Sequence, residues 1–562
     1  MKLLKSLLKV VGLILILSVV CGAVLGGCFF YRLLVRPEFS QEFTLSEEDY
    51  ADFEAAATEF EESIIEDKNE LVVIMKNSKF TDSFFKIDAQ RTVAYINYCK
   101  DMTNEKAVSD YEFAIEIYNK ASNLYNETLK NILLSDSSIA AQLFAEWSDE
   151  EKELILNNNE RAYELTVENE DILLDYRALD DEAEGWADTV DGYYLQIVKN
   201  NNAIAKEYGY ANYYEYASRA AFSRYYSDAD RNRLREYVKE YIIPLFPEVL
   251  GRLESLGAEA DEQTLAEYRA LMSESYKSNR DVQRYIADYV DSFYVNPDDL
   301  MENMGDCMGN MLEGNLAIFA DGENAMKAAF TGYMNYYGTP VAFFGPGYQD
   351  MLTIVHEAGH FAVFDRTGFA NMPLDFCEVH SQANEWMFIA YLEDQLDPEV
   401  YELVKLNRLA RGLEIIILAT AVDECEESIY RAIDENSTVQ QIGALISETL
   451  SGYGEKIIED LALESYVRHV VLESPVYYLS YATSEIVSLT SFLEAQDNLT
   501  EAQKSYTKFA DESLLPEVVE KGLKEAFEEA TYVNIVREFS PEENGGGAVS
   551  YCEYEHVLLP AA

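Results

Sequence analysis

Asp350-Met351-Leu352-Thr353-Ile354-Val355-His356-Glu357-Ala358-Gly359-His360 decides the reading of this chain, because it holds two of the five histidines, four residues apart, with a carboxylate between them. On a helix, residues i and i+4 share a face, so His356 and His360 can reach one metal ion while Glu357 projects beside them. Two imidazoles at this spacing suit zinc, and a carboxylate next to the metal is placed to act as general base on water. The flanks predict a helix: Asp350 caps its start, Leu352, Val355, Ala358, Ala362 and Val363 supply an apolar stripe, and Gly368 stops it. Such a stripe belongs in a core. A single buried histidine there is usually hydrogen-bonded packing, but a pair at ligand spacing is costly to bury without a metal.

A hydrolytic zinc site takes three protein ligands and keeps one position open, so a third ligand is expected downstream. Glu378, 22 residues after His356, opens a second helix-like segment that continues through Leu396. Two antiparallel helices would return it to the metal. Glu385 shares its face with Glu378, Ser381 and Gln382, and competes either as a ligand or as a group orienting a histidine from behind.

His-Glu-Ala-Gly-His followed by Glu378-Val-His-Ser-Gln-Ala-Asn-Glu385 resembles the thimet oligopeptidase and oligoendopeptidase F group of zinc metallopeptidases, particularly the oligoendopeptidase F side. Residues 205–247, 331–350 and 474–485 are similar to segments of the same group in the same order, so the likeness spans about residues 200–490. It implies one zinc per chain held by His356, His360 and Glu378, with Glu357 as the base, and short unfolded peptides as substrates. It also assigns transition-state roles to His469 and Tyr481. Two departures stand out: the His356-to-Glu378 spacing is a few residues shorter than usual, and Val363 stands where many members carry a further histidine.

Hydrolysis also needs donors for the oxyanion that forms on the carbonyl. Tyr477, Tyr478 and Tyr481 fall at helical spacing and would present phenols along one side, although most of the 41 tyrosines must be packing residues. His380 is expected to pack or to support a ligand, and His556 to lie on the surface. Residues 338–349 form the clearest strand and turn. Beside the metal helix, that strand is either an ordinary core strand or an exposed edge onto which an extended peptide could pair.

Lys2, Lys5 and Lys9 precede an apolar run from Val10 to Tyr31, which at 22 residues is long enough to span a bilayer. The expectation is a single-pass membrane protein anchored in membrane lipid, with its catalytic part outside the cytoplasm. Leu25-Gly26-Gly27-Cys28 offers a lipoprotein signal anchored at Cys28 as the alternative.

Beyond the run, about 530 residues suffice for a large core in two lobes, and scarce Pro and Gly (12 and 27) favour helices. The expected fold is mainly α: a two-lobed helical zinc-peptidase fold with a small β element beside a deep substrate cleft, preceded by a transmembrane helix. The expected divisions are a cytoplasmic tail (1–9), anchor (10–31), stalk (32–45), N-terminal helical lobe (46–195), catalytic domain (196–535) and C-terminal tail (536–562). A net charge of −59 leaves no basic face for nucleic acid. It could draw cationic peptides to the cleft, but solubility or a salty habitat explains it as well. The five cysteines beyond the anchor are scattered and give neither a disulfide framework nor zinc-ligand spacing. A membrane-anchored binding protein that kept the peptidase shell without its activity is the rival class, and the intact Glu357 argues against it.

Overall fold

The computed structural model describes residues 37–540 except 67, 69, 146, 178, 180–184, 225, 274, 299–300, 369–372, 514, 516–517 and 519–522. Three long helices, α1 (Glu47–Ile65), α2 (Glu70–Lys100) and α3 (Glu105–Leu133), pack on one another near the start of the chain. Ser46 boxes the start of α1, where the Asp49 carboxylate accepts from the Ser46 backbone at 2.9 Å. Phe53, Phe60 and Phe80 stack between α1 and α2. Helices α4 (Glu160–Arg177) and α5 (Trp186–Glu207) pair next, and α5 buries Val190, Tyr194, Ile197 and Val198 in a second, larger core.

The sheet touches both cores. Strands β1 (Ala317–Phe319), β2 (Ala329–Met334) and β3 (Thr339–Phe344) run in the order β1-β3-β2, with β1 parallel and β2 antiparallel to β3. Successive side chains of a strand point to opposite faces. Val341 and Phe343 accordingly enter the core built around α1–α3, whereas Ala342 and Phe344 enter the larger one. Burial on both faces is why β3 reads as an unbroken apolar run. The free-edge option for the strand within residues 338–349 is corrected here: β3 is paired on both sides, and the outer strands of the sheet are β1 and β2.

The larger core is a layered set of helices: α6 (Met351–Thr367), α7 (Leu374–Leu392), α8 (Pro398–Ala432), α9 (Leu463–Glu473) and α10 (Leu479–Glu512). Helix α7 lies between α6 and α10, its two most extensive neighbours, so it is buried on nearly every side. Asp350 caps α6 as the sequence suggests, accepting from the Leu352 and Thr353 amides at 3.0 and 3.3 Å, and Gly368 ends the helix at φ +63°.

The single-pass membrane topology needs correction. Residues 10–31 and Cys28 lie outside the described residues, and among those described no helix is long and apolar enough to cross a membrane. Even the 35-residue α8 carries Glu, Lys, Arg and Asp along its length.

Candidate functional site

Helices α6 and α7 cross so closely that a side chain at Gly359 would have its Cβ 2.5 Å from the His380 carbonyl oxygen. Glycine is therefore required at the crossing. Asn384 of α7 fastens it by donating to the Val355 carbonyl at 2.7 Å. The approach brings Glu378 Oε2 to 3.6 Å from His360 Nε2 and 3.9 Å from His356 Nε2. Ligands about 2.0–2.2 Å from a tetrahedral zinc stand roughly 3.3–3.6 Å apart, so these three side chains fit one ion with little adjustment. A second group, Glu302, Cys307 and Asp365, also gathers within 4.8 Å. Burial pushes the Cys307 thiol and the Asp365 carboxyl up, so it offers poorer anionic donors.

Glu378 is nearly inaccessible, and burial acts to raise its carboxyl. His360, His356 and the Tyr477 hydroxyl, which donates to Oε1 at 2.5 Å, outweigh that and hold it below the usual carboxylate range. Glu385 stands behind His356, with Oε1 2.8 Å from Nδ1. Burial alone would lower the His356 imidazolium, but this hydrogen bond and the charges of Glu385, Glu357 and Glu378 raise it to about 9. Glu385 is in turn held by Arg408 Nε at 2.8 Å. The other end of the same guanidinium grips Glu485 at 2.7 and 2.8 Å, and Glu485 also accepts from Trp386 Nε1 at 2.9 Å. This buried chain from Glu485 through Arg408 and Glu385 to His356 fixes the imidazole with Nε2 turned toward Glu378.

Glu357 is 3 % exposed and accepts at Oε2 from Thr331 Oγ1 of β2 at 2.6 Å. The strand thus orients the carboxylate and lies beside it.

The tyrosine segment departs from the expected helix, because α10 begins only at Leu479 and Tyr477 and Tyr478 lie in the preceding turn. Val476 sits at φ +64°, a region unfavourable to a β-branched residue. Buried groups hold it there: Glu426 accepts from the Val476 amide at 2.8 Å, while Arg224 donates to the Val476 and Tyr477 carbonyls at 2.6 and 2.9 Å. Arg224 is itself paired with Asp375 of α7 at 2.9 Å. The turn is therefore clamped to the helix that carries Glu378.

Tyr466, Tyr478 and Tyr481 line a cavity of about 620 Å³ that also exposes His356 and Glu357. The Tyr466 and Tyr478 rings meet edge-to-face, 6.0 Å between centroids, in this wall. Burial and the charges of Glu378 and Glu357 push the Tyr481 phenol far up, so it stays a proton donor at every working pH. His469 is placed differently: its ring packs against Trp186 at 4.6 Å between centroids, Nδ1 is 3.5 Å from the Tyr176 hydroxyl, and it is not among the cavity-lining residues. His380 is fully buried near Phe509, and burial drops it to about 3, so it is neutral packing. His556 lies outside the described residues.

Thr331, Arg408, Glu485, Arg224 and Tyr466 went unrecognised in the sequence. Each acts through a partner on another element or through the cavity, and even Thr331, whose partner is only 26 residues on, reaches from a strand to a helix.

No protein-family model matches the sequence, and no curated protein sequence matches it. Solved structures do. PZ peptidase A, solved with an inhibitor, superposes with a TM-score of 0.67 at 16 % identity, covering 90 % of this chain and 98 % of that one. A Bacillus anthracis protein assigned as an oligoendopeptidase F gives 0.66 at 16 % over 89 % and 96 %. The oligoendopeptidase-F of Enterococcus faecium gives 0.50 at 13 % over 88 % and 98 %. The chain has the fold of the oligoendopeptidase F and PZ peptidase structures across most of its length, as the likeness in its motifs implied.

Proposed function

We propose that this chain is a zinc-dependent endopeptidase that hydrolyses short, unfolded peptides in the cavity beside His356, His360 and Glu378. The observation that supports it most is the gathering of these three donors, 3.6 and 3.9 Å apart, next to a carboxylate oriented by Thr331 at the wall of a cavity large enough for several residues. When bound, zinc supplies Lewis-acid polarisation of the scissile carbonyl and makes water nucleophilic at neutral pH. Glu357 takes the proton from the attacking water and delivers it to the leaving amine. Tyr481 donates to the oxyanion. The ion pair of Arg408 with Glu385, and the contact of Glu385 with His356 Nδ1, keep His356 in one orientation. A peptide lying along the open edge of β2 would place its backbone beside Glu357 with little demand on sequence.

The test is mass spectrometry of digests of an unfolded-peptide mixture by the purified protein, with and without a chelator. Internal cuts in short peptides that stop with the chelator are expected. Intact peptides in both arms would remove the reading.

Removal of the Tyr481 hydroxyl should lower kcat and kcat/KM together by about 10²- to 10³-fold while KM and zinc content hold. Tyr481→Phe keeps the ring, and Tyr478→Phe, whose charged neighbours do not include Glu378 or Glu357, should cost under about tenfold. A greater loss at Tyr478 would exchange their roles. The proposed transition-state role of His469 calls for the same assay on His469→Ala. If the described packing against Trp186 persists when peptide binds, the loss will be small.

Metal affinity should depend on pH through His356. In the metal-free protein its imidazolium titrates near 9, so below that pH zinc must displace a proton. Apparent affinity should fall about tenfold per unit as pH drops from 9 toward 7. Glu385→Gln, which removes the charge that raises His356, should flatten this slope. Competition against a zinc-binding dye at each pH measures it, and a flat profile in the parent protein would contradict the coupling.

A further inference from the structure

Charges around the cavity are almost all spoken for. Arg408 spends its guanidinium on Glu385 and Glu485. Asp350 caps α6, Asp321 accepts from Gln349 at 2.9 Å, and Glu357 accepts from Thr331. Arg411 is the exception. It lies three residues beyond Arg408 on α8, on the same side of the helix, and lines the cavity half-buried. Among the described residues it forms no ion pair and no hydrogen bond, although Glu385 and Glu414 act on it through space. Glu385 has both oxygens engaged. Glu414, the acid one turn on, does not reach Arg411, and burial pushes its carboxyl up to about 7.

A partly desolvated guanidinium with no internal acceptor is left with unsatisfied donors, and its planar fork matches a carboxylate. In a chain of net charge −59, an unpaired cation in the cavity wall also offers an anionic group of a ligand a place where it is attracted. We propose that Arg411 anchors a carboxylate of the bound peptide, and specifically its C-terminal α-carboxylate, the acid that every oligopeptide carries. The inference rests on the peptidase reading and adds to it a substrate class: peptides with a free C-terminus, cut at a distance set from that end. Length selectivity then follows from the anchor as well as from the cavity walls.

The test uses one peptide sequence in three forms: free acid, C-terminal amide, and amide with Glu as the last residue. In the parent protein the free acid should exceed the amide in kcat/KM by about 10- to 100-fold, the range of a charge-assisted pair. Arg411→Gln should collapse that ratio to within threefold, and Arg411→Lys should keep an intermediate one. In peptides lengthened from the N-terminus, the parent should cut at a constant distance from the free C-terminus, whereas Arg411→Gln should lose that register. If the Glu-amide peptide regains the Arg411-dependent advantage and the free acid lacks it, the α-carboxylate assignment is overturned in favour of a side-chain carboxylate. A ratio near one in the parent, or one unchanged by Arg411→Gln, overturns the anchor altogether. Equilibrium binding of the acid and amide forms to the Glu357→Gln protein reads the same ratio without turnover. Acid preference there in a chain whose parent cuts nothing would reject the peptidase reading while keeping the anchor, and cleavage without acid preference would do the reverse.

Discussion

Glu357→Gln should leave zinc near one per chain and lower peptide hydrolysis by about 10³-fold or more, toward the upper end of what general-base catalysis contributes. Glutamine keeps the shape and can still meet Thr331, whose hydroxyl is 2.6 Å from the native carboxylate, so folding and cavity are preserved. What it cannot do is accept a proton from water. His356→Ala and His360→Ala should lose zinc and hydrolysis together, because each removes one of the three gathered donors. Metal analysis and initial rates on the same preparations decide the matter. A Glu357→Gln protein retaining more than a tenth of the parental rate would show that another group takes the proton.

Glu378→Ala should weaken zinc binding far beyond the roughly 10- to 100-fold expected for Glu385→Gln, since supporting groups behind a ligand cost that much and direct ligands cost more. The geometry supports this order: Glu378 Oε2 faces both Nε2 atoms, whereas Glu385 meets the opposite nitrogen of His356 and the Arg408 guanidinium. The two variants should also differ in stability. Glu385→Gln leaves the buried Arg408 with only Glu485, and loss of one partner from a buried pair costs up to about 3–5 kcal/mol. Glu378→Ala deprives the Tyr477 and Ser381 hydroxyls and the histidines of a partner, but leaves no buried guanidinium short of one. Zinc affinity and thermal midpoints measured on both proteins should therefore move in opposite rank. Stronger zinc loss at Glu385 would exchange their roles.

The sequence was most legible where one element carries the information. The i, i+4 histidines, the Asp350 cap and the Gly368 stop all belong to α6, and they hold in the structure because local spacing alone decides them. The approach of Glu378 to the two histidines was readable because two consecutive helices have few ways to pack. The turn at residues 474–478 was not readable: tyrosine spacing suggests a helix, and what unwinds it is Val476 at positive φ held by Arg224 and Glu426, about 250 and 50 residues away. Glu385 was legible as a candidate to orient a histidine, but its support by Arg408 and Glu485 was hidden in the same way, as two ordinary charged residues on two other helices in a chain with 102 acids. The buried run at 339–344 named a strand correctly but could not say which edge stayed open, since that depends on β1 and β2 pairing with it from either side.

The most direct measurement titrates zinc back into the metal-stripped protein while following hydrolysis of a quenched peptide. The account predicts no turnover at the start, a linear rise and a plateau at one zinc per chain. Turnover that persists without metal, or a rise that ignores zinc, would contradict it.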